Sequence, residues 1–159
     1  MDEVSPTTGI DARISLREVT AETVRTVCDL SVAPDQRRLV ASNAESIAEA
    51  YFSEAAWFRA VYADETPVGF LMLHDDPEKP GYYLWRFMIA EEHQGKGYGR
   101  RAMELLIEHV KTRPMAEELS LSYVPSEGSP EGFYRGLGFE PTGEENDGEV
   151  MMSLRLRRD

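Results

Sequence analysis

Chemistry-bearing residues are densest where Gln94-Gly95-Lys96-Gly97-Tyr98-Gly99-Arg100-Arg101 leaves a strand-like run and opens a helix-like one. Glycines at alternate positions let the backbone turn tightly and come close to a ligand. The first amides of the helix behind them have no intrahelical partner and carry the positive end of its dipole. Such a turn suits phosphate oxygens, and Lys96, Arg100 and Arg101 add positive charge beside it. The plainer alternative is a turn in which the glycines only permit the bend and the cations are solvated. Two nucleotide fingerprints are excluded by spacing: no Gly-Lys-Ser/Thr follows, and glycines at 95, 97 and 99 do not make G-x-G-x-x-G.

Elsewhere reactive side chains are scattered. His74, His93 and His109 show no ligand spacing, so no metal is predicted, and His93 reads as a surface loop residue. The single cysteine, Cys28, has Val24, Val27 and Leu30 as helical neighbours and reads as a small buried hydrophobe. With 17 Lys and Arg against 29 Asp and Glu, the net charge is -12. That balance argues against nucleic acid and anionic membrane as partners and permits a cationic ligand, although acidity also serves solubility.

The elements that must position these residues follow from periodicity. Residues 1–11 lack a period and read as a flexible leader, and residues 12–159 read as one domain, large enough to bury a core without disulfides. Neither a signal peptide nor a bilayer-length apolar run is visible, which gives the expectation of a cytoplasmic protein. Ile14–Val19 alternates as a strand, and Thr20 is placed to cap a helix with Val24, Val27 and Cys28 on one face. A helical stretch from Pro34 to Phe52 breaks at Ser42/Asn43. Trp57–Tyr62 and Val68–Leu73 read as a hairpin, Tyr82–Ile89 as a strand, Gly99–Lys111 as a helix and Leu119–Val124 as a strand. Pro130–Leu137 reads as a helix closed by Gly138, and Phe139–Glu144 with Val150–Leu156 as a final hairpin across Asn146-Asp147-Gly148. This order predicts an α+β or mixed α/β domain around a largely antiparallel sheet flanked by helices.

The segment Gln94–Arg100 resembles the Q/R-x-x-G-x-G/A motif of the Gcn5-related N-acetyltransferases (GNAT), and it follows Phe87-Met88-Ile89 as the motif does in that family. Phe133-Tyr134-Arg135-Gly136-Leu137-Gly138-Phe139 resembles the family's F-Y-x-x-x-G-F. The resemblance spans roughly Ile14 to Leu156, and Arg86–Val110 looks closest to spermine/spermidine-type members. It implies the GNAT fold, with a mostly antiparallel twisted sheet, and acetyl-CoA as co-substrate. It assigns the backbone of Phe87, Met88 and Ile89 to the pantetheine arm. The amides of Gln94, Gly95, Lys96, Gly97, Tyr98, Gly99 and Arg100 would cradle the pyrophosphate, with Arg101 adding charge. Tyr134 becomes the general acid toward the departing thiol. Three positions depart from the family pattern: Glu127 stands where an Asn is frequent, Pro130 where an alanine is common, and Arg86 where some members carry a glutamate.

The implied chemistry needs little from the protein beyond alignment. An alkyl ammonium, with a pKa of about 10.4, must lose a proton before its nitrogen attacks a thioester, and the expelled thiolate, near about 8.5, benefits from a donor. Holding both substrates in line supplies several kcal/mol, roughly 7–11 in ideal geometry. Candidates to bind a cationic amine are Glu45, Glu49, Glu54, Asp75 and Asp76, with Trp57, Tyr82, Tyr83 and Trp85 for cation–π contact. The expected activity is acetyl transfer to a small cationic amine such as a polyamine. A protein or peptide acetyltransferase and a non-catalytic acyl-CoA sensor are the rivals. A homodimer through the Met151-Met152 strand is an option that a core role for those methionines explains equally well.

Overall fold

A computed structural model describes residues 11–37, 39–126 and 128–156. The leader expectation falls on residues 1–10 and the departure at Glu127 on that residue, and both lie outside the described residues. The described residues form a seven-stranded sheet in the order β1-β2-β3-β4-β5-β7-β6. These strands are β1 Ile14–Arg17, β2 Ala56–Ala63, β3 Thr66–His74, β4 Gly81–Ile89, β5 Glu118–Tyr123, β6 Glu140–Asn146 and β7 Glu149–Arg155. Every neighbouring pair is antiparallel except β4 and β5. The expected mixed, mostly antiparallel architecture is therefore present.

Helices cover both faces. On one, α3 (Tyr98–Lys111) buries Tyr98, Ala102, Met103, Leu106 and Val110 against Val61, Leu71, Leu73 and Leu121. The spacing of those residues is that of one helical face, and each fully buried large side chain contributes about 1.5–3 kcal/mol. On the other face, α1 (Val24–Asp29) and α2 (Asn43–Ala50) cover Ala60, Tyr62, Phe70, Met72 and Met88. A short helix, α4 (Glu131–Gly136), ends at Gly138, whose φ of 105° is a left-handed conformation that glycine adopts without strain. The β6–β7 turn, Asp147-Gly148, has φ of 52° and 81°, the doubly left-handed turn that matches strand twist.

Several boundaries differ from expectation for local reasons. Thr20 does not cap α1 with its hydroxyl. Its carbonyl instead accepts from Thr23 N and Val24 N, so residues 21–23 form a turn and the helix begins at Val24. The 34–52 stretch resolves into a 3-10 turn at Pro34–Gln36 and α2, divided where Ser42 caps α2 reciprocally with Glu45. β7 inserts between β5 and β6, and Met152 is fully buried there, so the core explains that methionine.

The feature that makes the site is the relation of β4 to β5. They pair only over Gly81–Tyr83 with Glu118–Ser120, and the ladder stops there. Within β4 the register against β3 slips at Trp85: Met72 faces Arg86 and Leu73 faces Leu84. A bulge of this kind bends and twists a strand. It also puts Trp85, Arg86 and Met88 on the α1–α2 side, while Leu84, Phe87 and Ile89 join the α3-side core.

Candidate active site

Beyond Tyr83 the two strands open into a cleft of about 1350 Å³. Its walls are Tyr83–Ile89 of β4, Leu121–Tyr123 of β5, Phe133 and Tyr134 of α4, and the segments leading into α2. The β5-facing edge of β4 past Tyr83 has no ladder partner among the described residues, which leaves backbone groups for an extended ligand to pair with. Phe87 stacks at 6.2 Å on Phe133, joining β4 to α4. Met88 is buried on the opposite side, where Asn43 Nδ2 approaches its sulfur at 3.7 Å. Asn43, itself 2% exposed, also donates to the carbonyls of Val27 (2.9 Å) and Leu30 (3.5 Å), pinning α2 to the end of α1.

At the end of β4 the chain makes the glycine turn. Gly95 and Gly97 have φ of 80° and 85°, and a Cβ at either would meet nothing within 4 Å, so the glycines supply conformation and open space. Gly99 is different: a Cβ there would touch Phe87, Ile89 and Phe133 at 3.5–3.6 Å, which seats the start of α3 closely on the cleft. The Gln94 side chain folds back, donating to Ile89 O (2.9 Å) and to Gln36 Oε1 (3.2 Å). It therefore holds the turn to the strand, and Ile89's carbonyl is already engaged. Arg100 donates to Gly136 O (3.3 Å) and pairs with Glu104, tying α3 to α4. Lys96 and Arg101 border a separate pocket of about 360 Å³ with Arg13, on the β1 side of the turn. Of the segment expected to cradle a pyrophosphate, only Gln94 borders the main cleft itself. The start of a 14-residue helix, at the positive end of its dipole and beside a strand edge without a ladder partner among the described residues, fits the phosphates and arm of an acyl-CoA.

Tyr134 is packed between Phe133 (5.2 Å) and Phe139 (5.8 Å), is 8% exposed, and borders the cleft. Burial pushes its phenol up to about 12, so it stays protonated through the physiological range and is a donor. A phenol raised in the folded protein adds stability below the unfolded value near 10, lost only as pH climbs toward 12.

The expected amine-binding residues divide sharply. Tyr83 and Trp85 line the cleft, and so does Glu45, although its carboxylate is spent on Ser42 N and Oγ at the α2 cap (3.3 Å each). Trp57 faces away, stacked at 4.1 Å on His109 of α3 with Arg59 over its ring. Asp75 makes an ion pair with Arg113 at 2.8 Å, Asp76 accepts from Glu78 N in its own loop, and Glu54 is exposed outside the cleft wall. Tyr82 lies in the core and donates to Pro114 O. Glu49 is taken by Arg86 at 2.9 Å. His93 is buried rather than at the surface, with Nδ1 lacking a hydrogen-bond partner, and burial holds its pKa below the usual value. Cys28 is half-buried and borders the cleft. Sequence reasoning missed Ser122 of β5 and Glu149 of β7, which line the cleft and hydrogen-bond each other; nothing in their local sequence marks them.

A mixed sheet split between its fourth and fifth strands, with a glycine turn and helix start at the split and a buried tyrosine across it, defines an acyl-CoA-dependent transferase. The family model "Acetyltransferase (GNAT) family" matches residues 39–139, and the chain belongs to that family. It is a GNAT acetyltransferase, with acetyl-CoA as co-substrate. A spermine/spermidine N(1)-acetyltransferase of Bacillus subtilis is 28% identical over 152 residues, covering 90% of this chain and 99% of that protein. The spermidine N-acetyltransferase of Vibrio cholerae, solved with CoA and spermine, superposes with a TM-score of 0.71 at 17% identity, over 90% of this chain and 95% of the other. The ribosomal-protein-S18-alanine N-acetyltransferase of Escherichia coli gives 0.70 at 16% identity, over 92% and 96%. At such identities the two structures speak for the fold. Among the described residues no helix is long and apolar enough to cross a membrane.

Proposed function

We propose that this enzyme acetylates a primary amine of a small polycation of the polyamine class, by direct attack on acetyl-CoA in a ternary complex, with Tyr134 serving the departing thiol. The observation that carries the substrate class is the similarity, over nearly the whole of both chains, to the Bacillus subtilis spermine/spermidine enzyme. The net charge of -12 agrees with a cationic substrate. Acetyl-CoA supplies the activated acyl group. The residues around the cleft bind and orient: the turn at Gly95–Gly99 receives the phosphates, the open edge of β4 aligns the arm, and Phe87 and Phe133 close one wall. Tyr134, neutral and desolvated, donates a hydrogen bond where negative charge collects on sulfur.

The test is thiol release from acetyl-CoA across spermine, spermidine, diamines, aminoglycosides and lysine peptides, with Tyr134→Phe alongside. Selective turnover of polyamines is expected. The variant should lose about 100-fold in kcat with the KM for acetyl-CoA nearly unchanged. Selective turnover of peptides would replace the substrate class. Tight CoA binding without turnover of any amine would make the chain a sensor.

A further inference from the structure

Three strands bring together a polar chain on the acceptor side of the cleft. Tyr83 stands at the last paired position of β4, opposite Ser120 of β5, where the cleft begins. Ser122 is two residues farther along β5, on the same face as Ser120, and it pairs in register with Met151 of β7. Glu149 is two residues before Met151 and so shares that face. The Ser122 hydroxyl donates to Glu149 Oε1 at 2.6 Å, and the Tyr83 hydroxyl lies 2.7 Å from Ser122 Oγ. Because Ser122 spends its single proton on the carboxylate, Tyr83 must donate to Ser122, and the chain has one direction: phenol to serine to glutamate. All three residues are half-buried and border the cleft.

We propose that this chain is the proton exit of the acetyl transfer, with Tyr83 touching the amine and Glu149 receiving the proton through Ser122. The inference rests on the amine-acetylation reading above. One ammonium N–H bond breaks, its electron pair stays on nitrogen for attack, and the proton passes to the Tyr83 oxygen. The Tyr83 proton moves to Ser122 Oγ, and that of Ser122 to the carboxylate, which becomes the acid and then yields the proton to water. Other charged groups bordering the cleft lie toward its helical wall: Asp35 and Arg37 ahead of α2, Glu45 at its cap, and Arg86 neutralised by Glu49. Tyr123 and Tyr134 border the opposite wall, and on the β6–β7 hairpin the exposed Glu145 and Asp147 flank Glu149. β4 itself carries no carboxylate, and its Arg86 is held by Glu49, so the β7 carboxylate is the acceptor the sheet presents to this part of the cleft.

A second hydroxyl–carboxylate cluster provides an internal control. Ser120 and Ser153 both donate to Glu118 Oε2, at 3.0 and 2.9 Å, but Glu118 does not border the cleft. Steady-state kinetics with acetyl-CoA and spermidine, from pH 6.5 to 9.5, would compare Glu149→Gln, Ser122→Ala, their double variant and Ser153→Ala. Glu149→Gln and Ser122→Ala should each lower kcat/KM for the amine by about 100-fold at neutral pH, with the KM for acetyl-CoA within about twofold. The deficit should shrink as pH approaches the amine's own value, about 10, where substrate arrives already deprotonated. The double variant should be no worse than the poorer single one, and Ser153→Ala should match the parent enzyme. A deficit that does not vary with pH, or activity retained in both single variants, overturns the relay while leaving the acetyltransferase reading intact. If the parent enzyme turns over no amine at all, that reading falls and the relay with it.

Discussion

On the α3 side, neighbouring residues shape the backbone after β4: Gly95, Gly97 and Gly99 make the turn, and Phe87, Ile89 and Phe133 pack against its last glycine. On the α1–α2 side, several fixed polar groups are held by partners far away in the chain. Asn43 reaches Val27 and Met88, Arg86 reaches Glu49, and Tyr83 reaches Ser122 and through it Glu149. The first wall is built on a local turn, tied to the rest by Gln94 to Gln36 and Arg100 to Gly136; the second depends mainly on side chains joined across the fold. On the function proposed above, the phosphate-bearing co-substrate would be met by a fixed local turn and the acceptor by side chains that the tertiary fold must assemble.

The largest expected effect comes from removing the pin of the second wall. Asn43→Ala leaves the Leu30 carbonyl short of a partner and opens a gap beside Met88. The loss should be about 2 kcal/mol, a fall in Tm of about 4–8 °C by thermal melting. If the walls are independent, the amine KM should rise several-fold and the acetyl-CoA KM should stay within about twofold. Equal increases in both would show that the walls are one unit.

The converse test is Gly97→Ala. An alanine there meets no neighbour but must hold a φ near 85°, which costs about 1–2 kcal/mol. The acetyl-CoA KM should rise several-fold while the amine KM stays put. An unchanged acetyl-CoA KM would mean that the phosphates bind away from this turn, for instance toward the pocket shared by Arg13, Lys96 and Arg101.

The same contrast explains what was legible in the sequence. The glycine turn, the α3 face and the Phe133–Phe139 segment are each a pattern within one stretch, and each lies where periodicity and motif put it. Tyr82 and Tyr83 are adjacent, yet alternation sends one into the core and the other into the cleft, and the face is fixed by register. Register in turn depends on the slip at Trp85, which no local residue announces. Trp57 and Asp75 have the right chemistry for a cation but lie with His109 and Arg113 outside the cleft. Ser122 and Glu149 are unremarkable in sequence and meet only because β7 inserts beside β5.

The smallest expected effect isolates charge on the acceptor wall. Arg86 is the cation of β4 in the cleft wall, and its ion pair with Glu49 is partly solvated, the side chains being 22% and 47% exposed. Glu49→Gln keeps a hydrogen-bond acceptor near Arg86 and removes the negative charge, so a polyamine of the class proposed above would meet an uncompensated guanidinium on entering the cleft. The KM for spermidine should rise about two- to fivefold at low salt. Because exposed charges are screened over about 8–10 Å at physiological ionic strength, the difference should fade by about 0.5 M salt. A monoamine of similar length should feel less of it, and the KM for acetyl-CoA should not change. A salt-independent rise would mean instead that Glu49 places α2, and that this wall depends on geometry where the charge argument predicts a field.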